Sequence, residues 1–148
     1  MPLFGEQKPF PFLQTQFNEG SARFSPDGRW VAFISNESGR EEVYVTRFDQ
    51  PGEKWRISTS GGRSPRWRRD GKELFYLAAD KKLMSVAVKG AATFEAGTPT
   101  ALFKMDTIIE GDYEAAGDGQ RFLINSSVAG AQSSPFTVVL NWTKDLKR

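Results

Sequence analysis

The sequence predicts an all-β fold, and three observations support this expectation. Aromatic residues make up 13% of the 148 positions, and aromatic side chains favour strands. Fourteen glycines and eight prolines interrupt the chain at short intervals, as turns between short strands require. An Asp-Gly pair occurs three times, each time before a run of bulky apolar residues. No helix is expected, because no window longer than about ten residues shows capped helical periodicity.

The Asp-Gly pairs recur at intervals of 43 and 48 residues. They are Asp27-Gly28, Asp70-Gly71 and Asp118-Gly119. Glycine tolerates a positive φ and aspartate bonds the nearby backbone, so each pair predicts a β-hairpin turn. A repeat of about 40–50 residues is typical of a four-stranded β-propeller blade. We therefore expect a partial β-propeller of about three four-stranded antiparallel blades.

The predicted domain covers residues 1–148 and begins with an orphan outer strand at residues 8–17. Blade 1 is expected at residues 20–60 and blade 2 at residues 61–105. Blade 3 is expected at residues 110–142, with three strands only. The outer strand would complete the last blade and so remove a free sheet edge.

The chain contains no cysteine and no histidine. This inventory excludes thiol nucleophiles, thiolate metal sites and Ser-His-Asp triads. No pair of carboxylates has a spacing that indicates a general acid and base. We therefore predict no catalytic residue, no metal and no cofactor, and expect that the chain is not an enzyme.

The net charge and the hydropathy of the chain bear on nucleic-acid binding and on membrane insertion. The net charge of +2 does not indicate a nucleic-acid-binding protein. No apolar run approaches the roughly 18 residues of a membrane span, and the first residues lack a signal-peptide pattern. A soluble chain is expected.

One basic cluster is a candidate binding surface. Arginine planes beside an aromatic ring suit an anion or a phosphate, whereas a solvated strand end and hairpin turn is the simpler interpretation. Carboxylates in the three turns also suit a cation site. Turn formation alone, however, explains why an aspartate stands at each of these positions. The cluster consists of Arg63, Arg66, Trp67, Arg68, Arg69 and Lys72.

Residues Ala22–Phe33 resemble the repeat of TolB-type, WD40-like β-propellers. That repeat places a small residue, an aromatic residue and Ser-Pro-Asp-Gly before an apolar strand. The second unit has Arg68-Arg69 in place of Ser-Pro, and the third has Ala116-Gly117. The resemblance implies six blades, of which this chain would form half.

A narrower resemblance is to the C-terminal propeller part of bacterial Ser/Thr protein kinase fusions. It implies a sensory or interaction module of a larger signalling protein, and a periplasmic or extracytoplasmic location in such a parent. The segments that carry it are Lys8–Thr15, Ser35–Arg40, Pro65–Tyr76 and Thr137–Trp142.

Three blades are too few to close a ring, since propellers have about four blades or more. Three arrangements remain open: the chain is a fragment or the product of a split gene, and a missing N-terminal half supplies the rest; two copies form a head-to-tail homodimer; or the three blades stand open. The expected function is a non-catalytic binding or scaffold module for a protein or peptide partner. The alternatives are an accessory propeller of a prolyl-oligopeptidase-like peptidase and a catalytic propeller such as a glycosidase.

Overall fold

The computed structural model describes residues 9–90, 93–105, 108–126 and 136–140. Every regular element within these ranges is a β-strand, and every pair of strands is antiparallel. The all-β prediction is confirmed. The strands are β1 (Glu19–Phe24), β2 (Trp30–Ser35), β3 (Glu42–Arg47), β4 (Lys54–Arg56), β5 (Gly62–Trp67), β6 (Glu73–Ala78), β7 (Lys82–Lys89), β8 (Glu95–Ala96), β9 (Thr100–Lys104), β10 (Ile108–Ala115), β11 (Arg121–Ser126) and β12 (Phe136–Leu140).

The strands form three consecutive sheets. Sheet 1 has the order β1-β2-β3-β4, and sheet 3 has the order β10-β11-β12. Sheet 2 has the order β5-β6-β7, and both β8 and β9 pair with β7. Two short strands therefore share the place that β4 fills in sheet 1.

The three Asp-Gly turns join the first two strands of each sheet with one common geometry. The glycines have φ values of 73°, 72° and 69°, in the region that favours glycine. In the first turn the Gly28 amide donates to the Ser25 carbonyl at 2.8 Å, and the Ser25 amide donates to the Trp30 carbonyl at 2.8 Å. The same two bonds recur at 2.8–2.9 Å in the other two turns.

A β-bulge interrupts the first pair of strands in every sheet. In sheets 1 and 2 the bulge places Ser21 and Ser64 at φ values of 52° and 53°. A positive φ is uncommon for serine, and a bulge increases the local twist of the strand. The recurrence of this kink shows that the repeat extends beyond the turns into the backbone of the strands.

Two apolar clusters join the sheets face to face, and sheet 2 lies between them. On β6, Leu74 and Tyr76 belong to the cluster with sheet 1, whereas Phe75 and Leu77 belong to the cluster with sheet 3. Successive side chains of a strand point to opposite faces, so one apolar strand supplies both clusters. Phe75 and Leu77 are fully buried.

The two outward faces of this stack differ in exposure. On sheet 1, Val31, Phe33 and Tyr44 lie on the side away from sheet 2 and are at most 4% exposed. On sheet 3, Leu123 lies on the side away from sheet 2 and is 43% exposed. Among the described side chains, the outward face of sheet 3 is therefore the more exposed of the two, and Leu123 shares it with Arg121 and Asn125 of the same strand.

Within this chain the described residues 9–18 form no strand, and the outer strand expected at residues 8–17 stays a prediction. The Phe12 ring packs against Phe48 with centroids 5.3 Å apart. The Phe17 amide donates to Thr15 Oγ1 at 3.0 Å, and the Asn18 amide donates to Asn36 Oδ1 at 3.0 Å. The amides of Phe17 and Asn18 thus bond side chains and not a neighbouring strand. Residues 1–8, 91–92, 106–107, 127–135 and 141–148 of the predicted division lie outside the described residues.

Candidate functional site

The aspartates of the three turns bind their own backbone. Asp27, Asp70 and Asp118 each accept a hydrogen bond from the amide two residues further on, at 3.1, 3.0 and 2.9 Å. The guanidinium of Arg68, with the Lys72 amide, lowers the pKa of Asp70 to about 2. These carboxylates are therefore ionised acceptors within turns, and none is a free general base.

The basic cluster predicted from the sequence is divided among several environments. Arg66 lies on β5, forms an ion pair with Glu114 of β10 at 3.1 Å and stands 5.5 Å from the centre of the Tyr113 ring. Arg68 lies in the second turn and pairs with Asp70 and Glu73, both at 2.7 Å.

The remaining cluster residues reach different surfaces. Trp67 donates its indole N–H to the Arg23 carbonyl at 3.1 Å, while Arg63 is half-buried at the start of β5. Arg69 and Lys72 are exposed. Arg66 and Arg68 are committed to carboxylates, so the cluster offers less positive charge than the sequence indicates. Its role as a binding surface stays a prediction.

A first groove, the turn groove, lies between the Asp-Gly turns of sheets 1 and 2 and has a volume of about 470 Å³. Ser25, Asp27 and Trp30 line it from sheet 1, and Asp70 and Lys72 line it from sheet 2. The two turns are close neighbours, since a Cβ added at Gly71 would lie 3.7 Å from Pro26 Cδ. Both walls belong to turns that are held by their own hydrogen bonds, so the groove is rigid.

A second groove, the hairpin groove, lies at the β6–β7 hairpin and has a volume of about 500 Å³. Its lining includes Tyr76, Met84 and Ala101 from sheet 2, with Asp80 and Lys82 at the hairpin. Asp80 and Lys82 form an ion pair at 2.7 Å. Burial raises the pKa of Tyr76 to about 12, with a smaller contribution from the carboxylates of Glu42 and Asp80. The phenol therefore stays protonated near neutral pH and acts as a hydrogen-bond donor.

A buried carboxylate links sheets 1 and 2 and was not identified as such from the sequence. Glu42 opens β3 and is only 1% exposed. It accepts hydrogen bonds from the Gly61 amide at 2.9 Å and from the Ser58 hydroxyl, and Arg40 Nε lies 3.2 Å away. The Ser58 hydroxyl in turn accepts from the Val43 amide at 2.8 Å. These bonds fix the connection between β4 and β5. A buried charge requires several hydrogen-bond or ionic partners, and these partners explain how the Glu42 carboxylate can be buried here.

Sheets 2 and 3 are joined by a different polar contact. The Tyr113 hydroxyl donates to the Ser64 carbonyl at 2.8 Å, so it bonds the bulge of the neighbouring inner strand. Burial raises the pKa of Tyr113 well above its usual value. Tyr113 therefore has a structural partner, whereas Tyr76 in the hairpin groove has none among the described residues.

The part of the chain that the structure describes contains neither a cluster of metal ligands nor a membrane-spanning helix. No group of three or more acidic side chains there is arranged to hold a metal ion. In the same residues, no helix has the length and apolar character needed to cross a membrane.

Comparison with solved structures shows the fold. An oligogalacturonate lyase from Vibrio parahaemolyticus, a propeller protein, superposes on 70% of this chain with a TM-score of 0.52 at 17% identity. This chain spans 27% of that lyase. TolB from Acinetobacter baumannii superposes on 93% of this chain and 44% of its own, with a TM-score of 0.44 at 15% identity. A prolyl endopeptidase superposes on 81% of this chain and 22% of its own, with a TM-score of 0.49 at 17% identity.

No protein-family model and no curated protein matches the sequence. At 17% identity the likeness to the lyase shows the fold alone. With the face-to-face order of the sheets, it establishes a propeller-like fold, as the resemblance of the repeat implied.

Proposed function

We propose that this chain is a non-catalytic binding module that presents a groove of its propeller to a peptide segment of a partner protein. The observation that carries the proposal is the chemistry beside the two grooves. In the turn groove, Asp27 and Asp70 are bound by backbone amides. In the hairpin groove, the pKa of Tyr76 is about 12, which suits a donor and disfavours a general base. Rigid grooves with polar groups at fixed positions suit recognition.

Selection of peptides tests this function directly. A random peptide library is displayed on phage and selected on the immobilised full chain, with the heat-unfolded chain as the counter-target. We expect enriched peptides that bind the folded chain with one site per chain in calorimetry. Absence of any enriched peptide, or turnover in a screen of glycosides, lactones and peptide esters, would contradict the proposal.

We also propose that the three sheets are three blades and represent half of a six-bladed ring. The repeated turns and bulges support this assignment, and the exposed Leu123 marks an outward face on sheet 3. Further blades come from a missing N-terminal half or from a second copy. Sedimentation at micromolar concentration separates these cases, since a mass of two chains supports the homodimer and a mass of one chain contradicts it.

The signalling context rests on the resemblance to propellers fused to bacterial Ser/Thr kinases. In that setting the module recognises a peptide and transmits its occupancy to the parent protein. A full-length parent whose kinase activity is unchanged by saturating amounts of a selected peptide would contradict this part of the proposal.

A further inference from the structure

The first strands of the three sheets, β1, β5 and β10, carry a charged residue at one repeated position. These inner strands follow one another in chain order, and β5 contacts both of the others. Arg23, Arg66 and Glu114 each stand four residues before the turn aspartate of their own sheet. They therefore occupy equivalent positions, with Arg66 in the middle of the stack and the other two at its ends.

The junction of sheets 2 and 3 shows how this position is used between sheets. Arg66 Nε lies 3.1 Å from Glu114 Oε2, so a residue of one inner strand pairs with its equivalent in the next. The Glu114 side chain is nevertheless 67% exposed. Its cross-strand partner is Leu123, on the face of sheet 3 that points away from sheet 2. The carboxylate of Glu114 can therefore take a further partner on this outward side.

The junction of sheets 1 and 2 shows how the following position is used. Trp67 stands three residues before its turn aspartate and donates its indole N–H to the Arg23 carbonyl of the preceding inner strand. Phe24 holds the equivalent position in sheet 1 and is 57% exposed. Its ring meets Phe48, which is 37% exposed, at a centroid distance of 4.9 Å. The outer part of this face of sheet 1 is buried, so the surface that is open to a partner follows β1.

The two ends of the stack are complementary in charge. Arg23 is exposed at one end and Glu114 at the other, and they are of opposite sign at equivalent positions, as the paired Arg66 and Glu114 are. They do not meet within one chain, because sheet 2 lies between sheets 1 and 3. A second copy of the chain brings the complementary residue to each end, and heterologous contacts of this kind form a ring when the rotation closes.

We propose that two copies of this chain associate head to tail, so that β1 of each copy lies beside β10 of the other. Arg23 of one copy pairs with Glu114 of the other, and Phe24 contacts the neighbouring inner strand as Trp67 contacts β1 within the chain. Each contact forms twice, and the two copies complete the ring of six sheets. This inference rests on the proposed half-ring and names its second half.

Cross-linking of a mixture of two single-cysteine chains tests the orientation. Ala22 and Leu123 are exposed and equivalent to Tyr113 and Phe75, which share one apolar cluster at the junction of sheets 2 and 3. The chain has no cysteine of its own, so Ala22→Cys and Leu123→Cys each carry a single thiol. With a short bis-maleimide linker we expect covalent dimers in the mixture and none in either variant alone.

Sedimentation equilibrium of single variants tests the two contacts. Arg23→Glu brings like charges together at both junctions and should raise the dissociation constant of the dimer about tenfold. Arg56→Glu makes the same change on the exposed outer strand β4 and should leave the constant unchanged. Phe24→Ala should raise it about tenfold or more. Phe10→Ala, at a residue that is 72% exposed ahead of β1, is the matched control.

The outcomes are distinguishable. Cross-linking in the mixture alone, with weaker association in Arg23→Glu and Phe24→Ala and wild-type circular dichroism in both, supports the inference. A wild-type mass of one chain, cross-linking of Ala22→Cys with itself, or a dimer that neither substitution weakens overturns it. None of these results bears on the selection of peptides, whose failure would contradict the proposed binding function separately.

Discussion

Each face of sheet 2 packs against a neighbouring sheet through an apolar cluster, but the polar contacts beside the two clusters differ. Towards sheet 1, the rings of Trp30, Trp55 and Phe94 pack with centroids 5.2–5.5 Å apart, and the buried carboxylate of Glu42 ties the connecting loop. Towards sheet 3, Phe75 meets the edge of Phe122 at 5.1 Å.

Among the described residues, the polar links across the second face come from the inner strands β5 and β10, and the bond from Trp67 to the Arg23 carbonyl is a similar inner-strand link across the first face. Tyr113 bonds the Ser64 carbonyl, and Arg66 pairs with Glu114. Apolar packing therefore occurs at both interfaces of sheet 2, whereas the polar contacts differ between the interface with sheet 1 and the interface with sheet 3. Changes to shared apolar positions should affect stability most, and changes to junction contacts should have smaller, local effects.

The largest effect is expected for Phe75→Ala at the interface of sheets 2 and 3. Phe75 is fully buried, so its truncation removes apolar contacts and leaves a cavity. The free energy of unfolding should fall by about 3–5 kcal/mol in urea titration. Leu123→Ala on the exposed face is the control and should change it by about 0.5 kcal/mol or less. Equal effects of the two substitutions would contradict the face-to-face packing.

Glu42→Ala should have the next largest effect, at the interface of sheets 1 and 2. The substitution leaves the Gly61 amide and the Ser58 hydroxyl without their carboxylate acceptor in a buried place. We expect a loss of about 2–3 kcal/mol in the free energy of unfolding. The neighbouring, exposed Glu41→Ala serves as the control. Hydrogen exchange should accelerate at the β4–β5 connection first, and uniform acceleration over all three sheets would refute the local role of Glu42.

Tyr113→Phe tests the polar link between sheets 2 and 3. It removes one hydrogen bond of 2.8 Å to the Ser64 carbonyl and keeps the ring. The expected loss is about 1 kcal/mol, measured by thermal or urea unfolding. Tyr44→Phe provides the comparison, because no described residue bonds the Tyr44 hydroxyl. If Tyr44→Phe lowered the free energy of unfolding as much as Tyr113→Phe, the bond from Tyr113 to the Ser64 carbonyl would not be the cause of the loss.

The smallest effect is expected for Asp70→Asn in the second turn. The Asp70 side chain is 45% exposed, so solvent screens its pair with Arg68, and the loss near pH 7 should stay below about 1 kcal/mol. The pKa of Asp70 is about 2 in the folded chain, below the ordinary aspartate value of 3.8, so the stabilisation is complete above pH 4 and is lost as the pH falls through 2. Denaturation at pH 6 and at pH 2 checks this sign, and a difference from wild type that grows in acid would contradict it.

Local rules predicted the turns and the central strands well. Asp-Gly fixes the hairpin through a positive φ and an aspartate-backbone bond, and both features recur in all three turns. The apolar runs after the turns predicted strands buried on both faces, and β6 confirms this for the middle sheet.

Features that depend on distant partners were not predictable in the same way. In the sequence Glu42 is an ordinary charged residue at the start of a strand. Its burial depends on Ser58 and Gly61, which lie in the connection between β4 and β5. The outer strand stays a prediction, because an extended sequence pattern alone does not identify the sheet edge that the strand would pair with. In the sequence Tyr76 is one more aromatic residue of an apolar strand, and its place beside a groove depends on residues of β7 and β9.

The central claim, that three sheets stack face to face in chain order, is best tested by distances between spin labels at three equivalent turn positions. The chain has no cysteine, so pairs of cysteines at the exposed positions Arg29, Lys72 and Gln120 can be labelled without background. Neighbouring turns lie close together, since a Cβ added at Gly71 would lie 3.7 Å from Pro26 Cδ and one added at Gly119 would lie 2.6 Å from Arg68 Cδ. The account predicts two similar, short distances for 29–72 and 72–120 and a longer one for 29–120, each narrowly distributed. Three equal distances, or a 29–120 distance shorter than the others, would contradict it.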